Sequence, residues 1–342
     1  MADLPIEVAA SGGVILGPSV VCDGFLDGYP IRAQSHIHAD HMEDFERSKG
    51  FQEIYMLQAT RRLLEVERNA DLPYRSNIFG VKSGDANRVP DSNLTLRSNG
   101  HMLGSAQVVV ELSSGTRLGY SGDFQWPMDE PIQVDGLVVD STYGSPNSIR
   151  EYSQDQVESE LARLIRQRLR VGPVHVKAFR GTVFRALEVI GREIEVPVLA
   201  SRRLMNDAEV FRSYGYTTCE LIDIRSEAAR EVEASRKFVR LYSAGDGEPV
   251  DIGESSSIGL SAYMSSPSDP VLEFSEHSYR LAMSDHADFN GTLAYIEATG
   301  AKYVVTDNCR GPHGASLAIE IERRLNITAR PSSMETSNFW GK

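Results

Sequence analysis

Residues 36–41 read His-Ile-His-Ala-Asp-His, and no other stretch restricts the chain so tightly. Three of the eight histidines and an aspartate fall within it. His36 and His38, two apart, can point the same way from an extended segment, while Asp40 and His41, being adjacent, project toward a second position. One ion would take His36 and His38, and a neighbouring ion Asp40 and His41. Imidazole and carboxylate together suit zinc, the favoured ion here, and also manganese. Two ions about 3.5–4 Å apart are the usual arrangement for hydrolysing phosphate esters. A single histidine is more often a surface or satisfied core residue. Four ligand-type residues buried together without a metal would leave several polar groups to pair.

Around this segment the sequence reads as strands in the first third: 6–17, 19–25 and the run into 36–41, then 94–100, 107–115, 116–124 and 137–144. Gly, Ser, Asn and Asp punctuate them as turns do. The period changes at 153–169, where Val157, Leu161, Leu164, Ile165 and Leu169 recur at helical spacing. Ser153 followed by Gln156 predicts a capping box there. Strands at 174–179, 196–201, 256–263 and 302–307 then alternate with helices through Val183, Leu187 and Ile190, around 203–213 and 225–237, through Phe289, Leu293 and Ile296, and through Leu317, Ile321 and Leu325. Such alternation predicts α/β architecture with parallel pairing in the middle region. With 342 residues, about two domains are expected.

Composition bounds the function. Hydrophobic residues at 41% and charged residues at 24% exclude a largely disordered chain. No run approaches the roughly 18 apolar residues of a membrane span, so no membrane partner is expected. With 35 basic against 48 acidic residues, the net charge is −13, which argues against a module that coats nucleic acid nonspecifically. A site holding divalent cations would supply positive charge locally, and a protein partner that delivers the substrate fits the same acidity. Cys22, Cys219 and Cys309 form no CxxC, so a reducing, cytoplasmic setting is expected rather than a disulfide framework.

The 36–41 segment resembles the metal-binding motif of the metallo-β-lactamase superfamily, and further segments follow in the same order. His101 in Gly-His-Met-Leu-Gly-Ser-Ala resembles the third histidine of the first metal site. Asp123 in Tyr-Ser-Gly-Asp-Phe resembles the carboxylate that bridges both metals. Asp23 in Cys-Asp-Gly-Phe resembles the early aspartate that supports the metal-binding loop without ligating. Two more segments are similar to those of the β-CASP nucleases: Val-Val-Asp140-Ser-Thr-Tyr-Gly, and Ala-Met-Ser-Asp-His286-Ala-Asp-Phe. The resemblance implies an αββα sandwich with an inserted α/β β-CASP domain. The sandwich would take 1–145 and 276–342 and the insert 146–275.

It also implies a metal-dependent nuclease that hydrolyses phosphodiester bonds through a two-metal-activated hydroxide, with Asp40 at the catalytic centre. His286, oriented by Asp140, would protonate the departing oxygen. The third β-CASP motif departs from the RNA-cleaving pattern: Val304-Val-Thr-Asp307-Asn-Cys stands where many members carry Val-His-Gly. Asp307 has two equal readings here, a second-metal ligand or a strand-end aspartate capping the next turn. Arg180, in Phe179-Arg180-Gly181, and Lys177 are candidates for phosphate contact, with a solvated charge as the plain alternative. Arg61-Arg62 and Arg202-Arg203 read first as helix surface. DNA as substrate and exonuclease action stand slightly ahead, with DNA repair as the setting. An RNA-processing nuclease of the mRNA 3′-end type is the alternative. A small-molecule metallohydrolase on the same fold and a noncatalytic scaffold are the further readings.

Overall fold

The computed structural model describes residues 4–68, 71–243, 246–247, 255–262 and 266–332. The chain divides into two compact units, one running to Ile149 and resuming at His286, the other spanning Arg150–Asp285.

The first unit follows from period-two burial. In the strand Ala106–Leu112, Val108 and Val110 join the core between two sheets, while Val109 joins a core on the opposite face. Val138 likewise faces the inter-sheet core, and its neighbours Leu137 and Val139 face away. The first sheet runs in the order Ile6–Val8, Val14–Leu16, Val20–Cys22, Ile31–Ala33, Glu53–Leu57, Ile78–Val81. The second runs Thr328–Pro331, Tyr303–Thr306, Gly136–Val139, Arg117–Tyr120, Ala106–Leu112, Ser92–Ser98, Ala86–Val89. Val8, Val14 and Leu16 of the first sheet pack against Leu94, Leu96 and Leu118 of the second. Each such fully buried side chain contributes about 1.5–3 kcal/mol.

Helices Phe289–Thr299 and Gly314–Leu325 cover the far face of the second sheet through Phe289, Leu293, Ile296, Leu317 and Ile321. On the first sheet, Tyr55 and Leu57 face inward. Ile54 and Met56 alternate with them and are buried too, where helices Phe45–Phe51 and Gln58–Arg68 touch that strand. The result is an αββα sandwich, an α/β fold.

The second unit holds one sheet in the order Leu221–Asp223, Val198–Ala200, Val239–Ser243, Val174–Ala178, Ser256–Leu260, Ser278–Leu281, Val271–Ser275. All its pairs are parallel except the last. The helix Gln154–Arg168 begins with the capping box of Ser153 and Gln156. Residue 263, at the end of the strand expected over 256–263, lies outside the described residues; the strand itself is Ser256–Leu260.

The sequence placed the end of this unit at 275, and the structure carries it to Asp285. Ser278–Leu281 is the reason: it bonds in parallel to Ser256–Leu260 and so belongs to this sheet. A four-residue strand behind a hairpin turn has too little periodicity to read. Among the described residues, no helix is long and apolar enough to cross a membrane.

Candidate metal centre

Every residue of the cluster stands just beyond a strand or just before a helix. His36 and His38 follow Ile31–Ala33, and the short turn Ala39–His41 redirects Asp40 and His41. His101 follows Ser92–Ser98, Asp123 follows Arg117–Tyr120, and Asp140 follows Gly136–Val139. His286 precedes the helix Phe289–Thr299, which Asp288 caps. Gly122 sets the aim of Asp123. Its φ is 56°, and a Cβ there would lie 2.7 Å from the Ala106 carbonyl oxygen, so only glycine fits the turn.

The imidazoles converge. His38 Nδ1 lies 3.0 Å from His36 Nε2 and 3.1 Å from His101 Nε2. Asp123 sits between two groups: Oδ2 lies 3.5 Å from His36 Nε2 and 3.7 Å from His101 Nε2, while Oδ1 lies 3.2 Å from His41 Nε2. Asp40 Oδ2 is 3.6 Å from that same nitrogen. His286 Nε2 is 3.9 Å from Asp123 Oδ2, and its Nδ1 is 3.2 Å from Asp140 Oδ2. Asp140 is itself fixed, since Oδ1 accepts from both the backbone N–H and the hydroxyl of Thr142.

Buried polar groups hold the cluster from behind. Asp23 Oδ2 meets His41 Nδ1 at 2.8 Å, and Oδ1 accepts from the Ser35 N–H and from Gln34 Nε2. His36 Nδ1 meets Ser35 Oγ at 2.9 Å, which leaves its Nε2 facing the cluster. Arg32, fully buried, donates to Gln34 Oε1, Ser48 Oγ and the carbonyls of His41 and Glu43. Asn99 donates to the carbonyls of Ser121 and Asp123 and receives the His101 N–H. Ser121 Oγ accepts the Asp140 N–H. Sequence reading missed Arg32, Gln34, Asn99 and Ser121. The one local signal was an arginine inside the otherwise apolar strand Ile31–Ala33.

Burial pushes His36 and His38 well below the usual histidine range, and the neighbouring imidazoles add to the push, so both rings are neutral near pH 7. Burial also opposes charge on His41, but Asp123 and Asp40 outweigh it and raise this ring well above that range. Burial would raise Asp123; His41 and the other rings hold it well below the carboxylate range instead.

The donor set fits divalent cations. His38 Nε2 is buried without a hydrogen-bond partner, and His38 Nδ1 faces two other imidazole nitrogens at 3.0 and 3.1 Å. Lone pairs converging in this way are met by a cation. Ligand-type atoms of His36, His38, His101 and Asp123 lie within 4.8 Å of one another, as do those of Asp123, Asp140 and His286.

Asp307 stands apart from both groups. Its Oδ1 accepts the N–H groups of Cys309 and Arg310, and its Oδ2 receives Arg310 Nη1 at 2.8 Å. This is the turn-capping arrangement, and it corrects the expectation of a metal ligand at Asp307: both oxygens are already engaged. In the second unit, Arg180 Nη2 holds both oxygens of Asp207, at 2.8 and 2.9 Å, so a phosphate would have to compete with a carboxylate there. Lys177 Nζ lies 5.9 Å from the Tyr242 ring centre. Arg61 and Arg62 pair with Glu65 along one helix.

No model of a known protein family matches the chain; single relatives and the fold establish its kinship. The chain belongs to the β-CASP family of metal-dependent nucleases built on the metallo-β-lactamase fold. It is 32% identical over 140 residues to an uncharacterized protein of the lig 3′ region of Acidianus ambivalens, a match covering 40% of this chain and 99% of that one. The RNase J-like protein of Methanocaldococcus jannaschii is 25% identical over 211 residues, 53% of this chain and 49% of that one. The transcription termination factor FttA of Lokiarchaeum is 32% identical over 92 residues, 24% of this chain and 14% of that one. The chain thus spans half or less of these last two. In fold, it is similar to a protein of unknown function from Enterococcus faecalis V583, with a TM-score of 0.54 at 15% identity, covering 82% of this chain and 76% of that one.

Proposed function

We propose that the chain hydrolyses phosphodiester bonds of RNA at a centre of two divalent cations, zinc being the favoured ion. The observation that carries this reading is the Asp123 carboxylate, shared between His36 and His101 on one side and His41 on the other, beside the His286–Asp140 pair. His36, His38, His101 and Asp123 would hold one ion, and Asp40, His41 and Asp123 the other. Bound there, two cations supply a water acidified toward neutral pH and polarise phosphate oxygens. The residues do the rest. Asp23 and Ser35 hold the rings of His41 and His36 so that Nε2 of each faces inward. Asp140 orients His286 through Nδ1, leaving Nε2 to give a proton to the departing oxygen.

RNA leads because the relatives include an RNase J-like protein and transcription termination factors. DNA is the second reading, supported by the Thr306-Asp307-Asn308 segment and its resemblance to DNA-cleaving members. The test is to incubate metal-loaded protein with end-labelled single-stranded RNA and DNA of matched sequence, beside Asp40→Ala. RNA cleavage lost in the variant is expected. Preferential cutting of DNA overturns the RNA reading. Two bound metals with neither strand cut favour a small-molecule metallohydrolase.

A further inference from the structure

One side chain joins the loop at 307–311 to the metal-binding segment. Arg310 Nη1 donates to Asp307 Oδ2 at 2.8 Å, and Nη2 donates to the carbonyls of Gly12 at 2.6 Å and Asp23 at 3.4 Å. Its Nε donates to the Asp40 carbonyl at 3.3 Å. The side chain is only 8% exposed, and Asp307 beside it 3%. A planar guanidinium with donors on both edges can hold three backbone carbonyls and a carboxylate at once.

These bonds are one-sided. Asp23 and Asp40 are the two residues whose carboxylates bracket His41: Asp23 at Nδ1, Asp40 facing Nε2. The hydrogen bonds of Arg310 reach neither His36, His38 nor His101: Asp23 touches His36 only at one remove, through Ser35 Oγ, and His101 is held by Asn99. Nor does the guanidinium bond a ligand-type atom of the cluster; its acceptors there are the backbone carbonyls of Asp40 and Asp23.

We propose that Arg310 is the positioning residue of the second metal site. The Asp40–His41 side depends on it, and the His36–His38–His101 side does not. The proposal rests on the two-metal reading above. Without Arg310, the Asp40 carbonyl loses its anchor and the Asp307 carboxylate is left buried without its cation. A lysine would keep the charge but could not span the same acceptors.

The test is to titrate the metal-free protein with Co2+, following its visible absorption and counting bound metal. Wild type should take two equivalents. Arg310→Met combined with Asp307→Asn removes the ion pair together and avoids stranding a buried charge. It should bind the first equivalent as wild type does and the second about 10–100-fold more weakly. Arg310→Lys, which preserves the charge and is the gentler change for folding, should also weaken the second equivalent alone, by less. Equal weakening of both equivalents, or a wild-type second equivalent in either variant, overturns the proposal. A single equivalent in the wild type overturns the two-metal reading and this inference with it. Because the readout is binding, selective loss of the second equivalent supports the proposal even if neither RNA nor DNA is cut, an outcome that would count against the nuclease reading alone.

Discussion

The histidines of the two units are treated in opposite ways. In the Arg150–Asp285 unit, His277 Nδ1 accepts from Arg168, which also bonds Ser256 Oγ. His175 lies buried in its strand with the Phe238 ring 6.2 Å away, edge-on. Charged groups there pair off with each other: Arg180 with Asp207, Arg185 with Glu158, Arg166 with Glu193. In the other unit, imidazoles of the cluster face imidazoles, with the Asp123 carboxylate shared among them. Donors paired with acceptors stabilise a fold. Lone pairs turned toward each other and buried cost free energy unless something binds them. The contrast sets the cluster apart from the other histidines without reference to any relative.

Substitutions can break or sharpen this contrast. The largest effect is expected for Asp123→Ala, which should empty both metal positions and abolish cleavage, as read by metal content after dialysis. Two metals retained in that variant would sink the bridging role. His286→Ala comes next. It should keep both metals while turnover falls about 10²–10⁴-fold. Full activity would remove His286 from the proton transfer. Arg180→Met should act on the other unit only. Removing one partner of a buried pair costs about 3–5 kcal/mol, seen as a lower denaturation midpoint, with metal content unchanged. Metal loss in that variant would erase the division between the two units.

Much of the sandwich was legible because its signals are local. Alternation at 107–112 and 137–139, and the capping box at Ser153, depend on residues a few positions apart. Residues 45–89 were mostly not legible. Strands of four or five residues and a seven-residue helix there carry few periods each, and it is packing of Ile54 and Met56 against the helices that defines them. Within the site, the spacing of 36–41 and the resemblance of the later segments pointed to His36, His38, His41, His101 and Asp123. The turn at Asp307 was half legible: Arg310, three residues on, is a local partner, yet nothing local tells a capping carboxylate from a ligand.

What the sequence determined alone was the identity and local spacing of the metal-binding donors, since two residues apart on extended chain means one side and adjacent means two. Tertiary structure decided which ring nitrogen faces inward and who holds it there. Asp23 reaches His41 across 18 positions, Asn99 reaches the Asp123 carbonyl across 24, and Arg310 reaches Gly12 across 298. Such partners are set by the order of strands in the sheets, and no spacing rule carries that far along a chain.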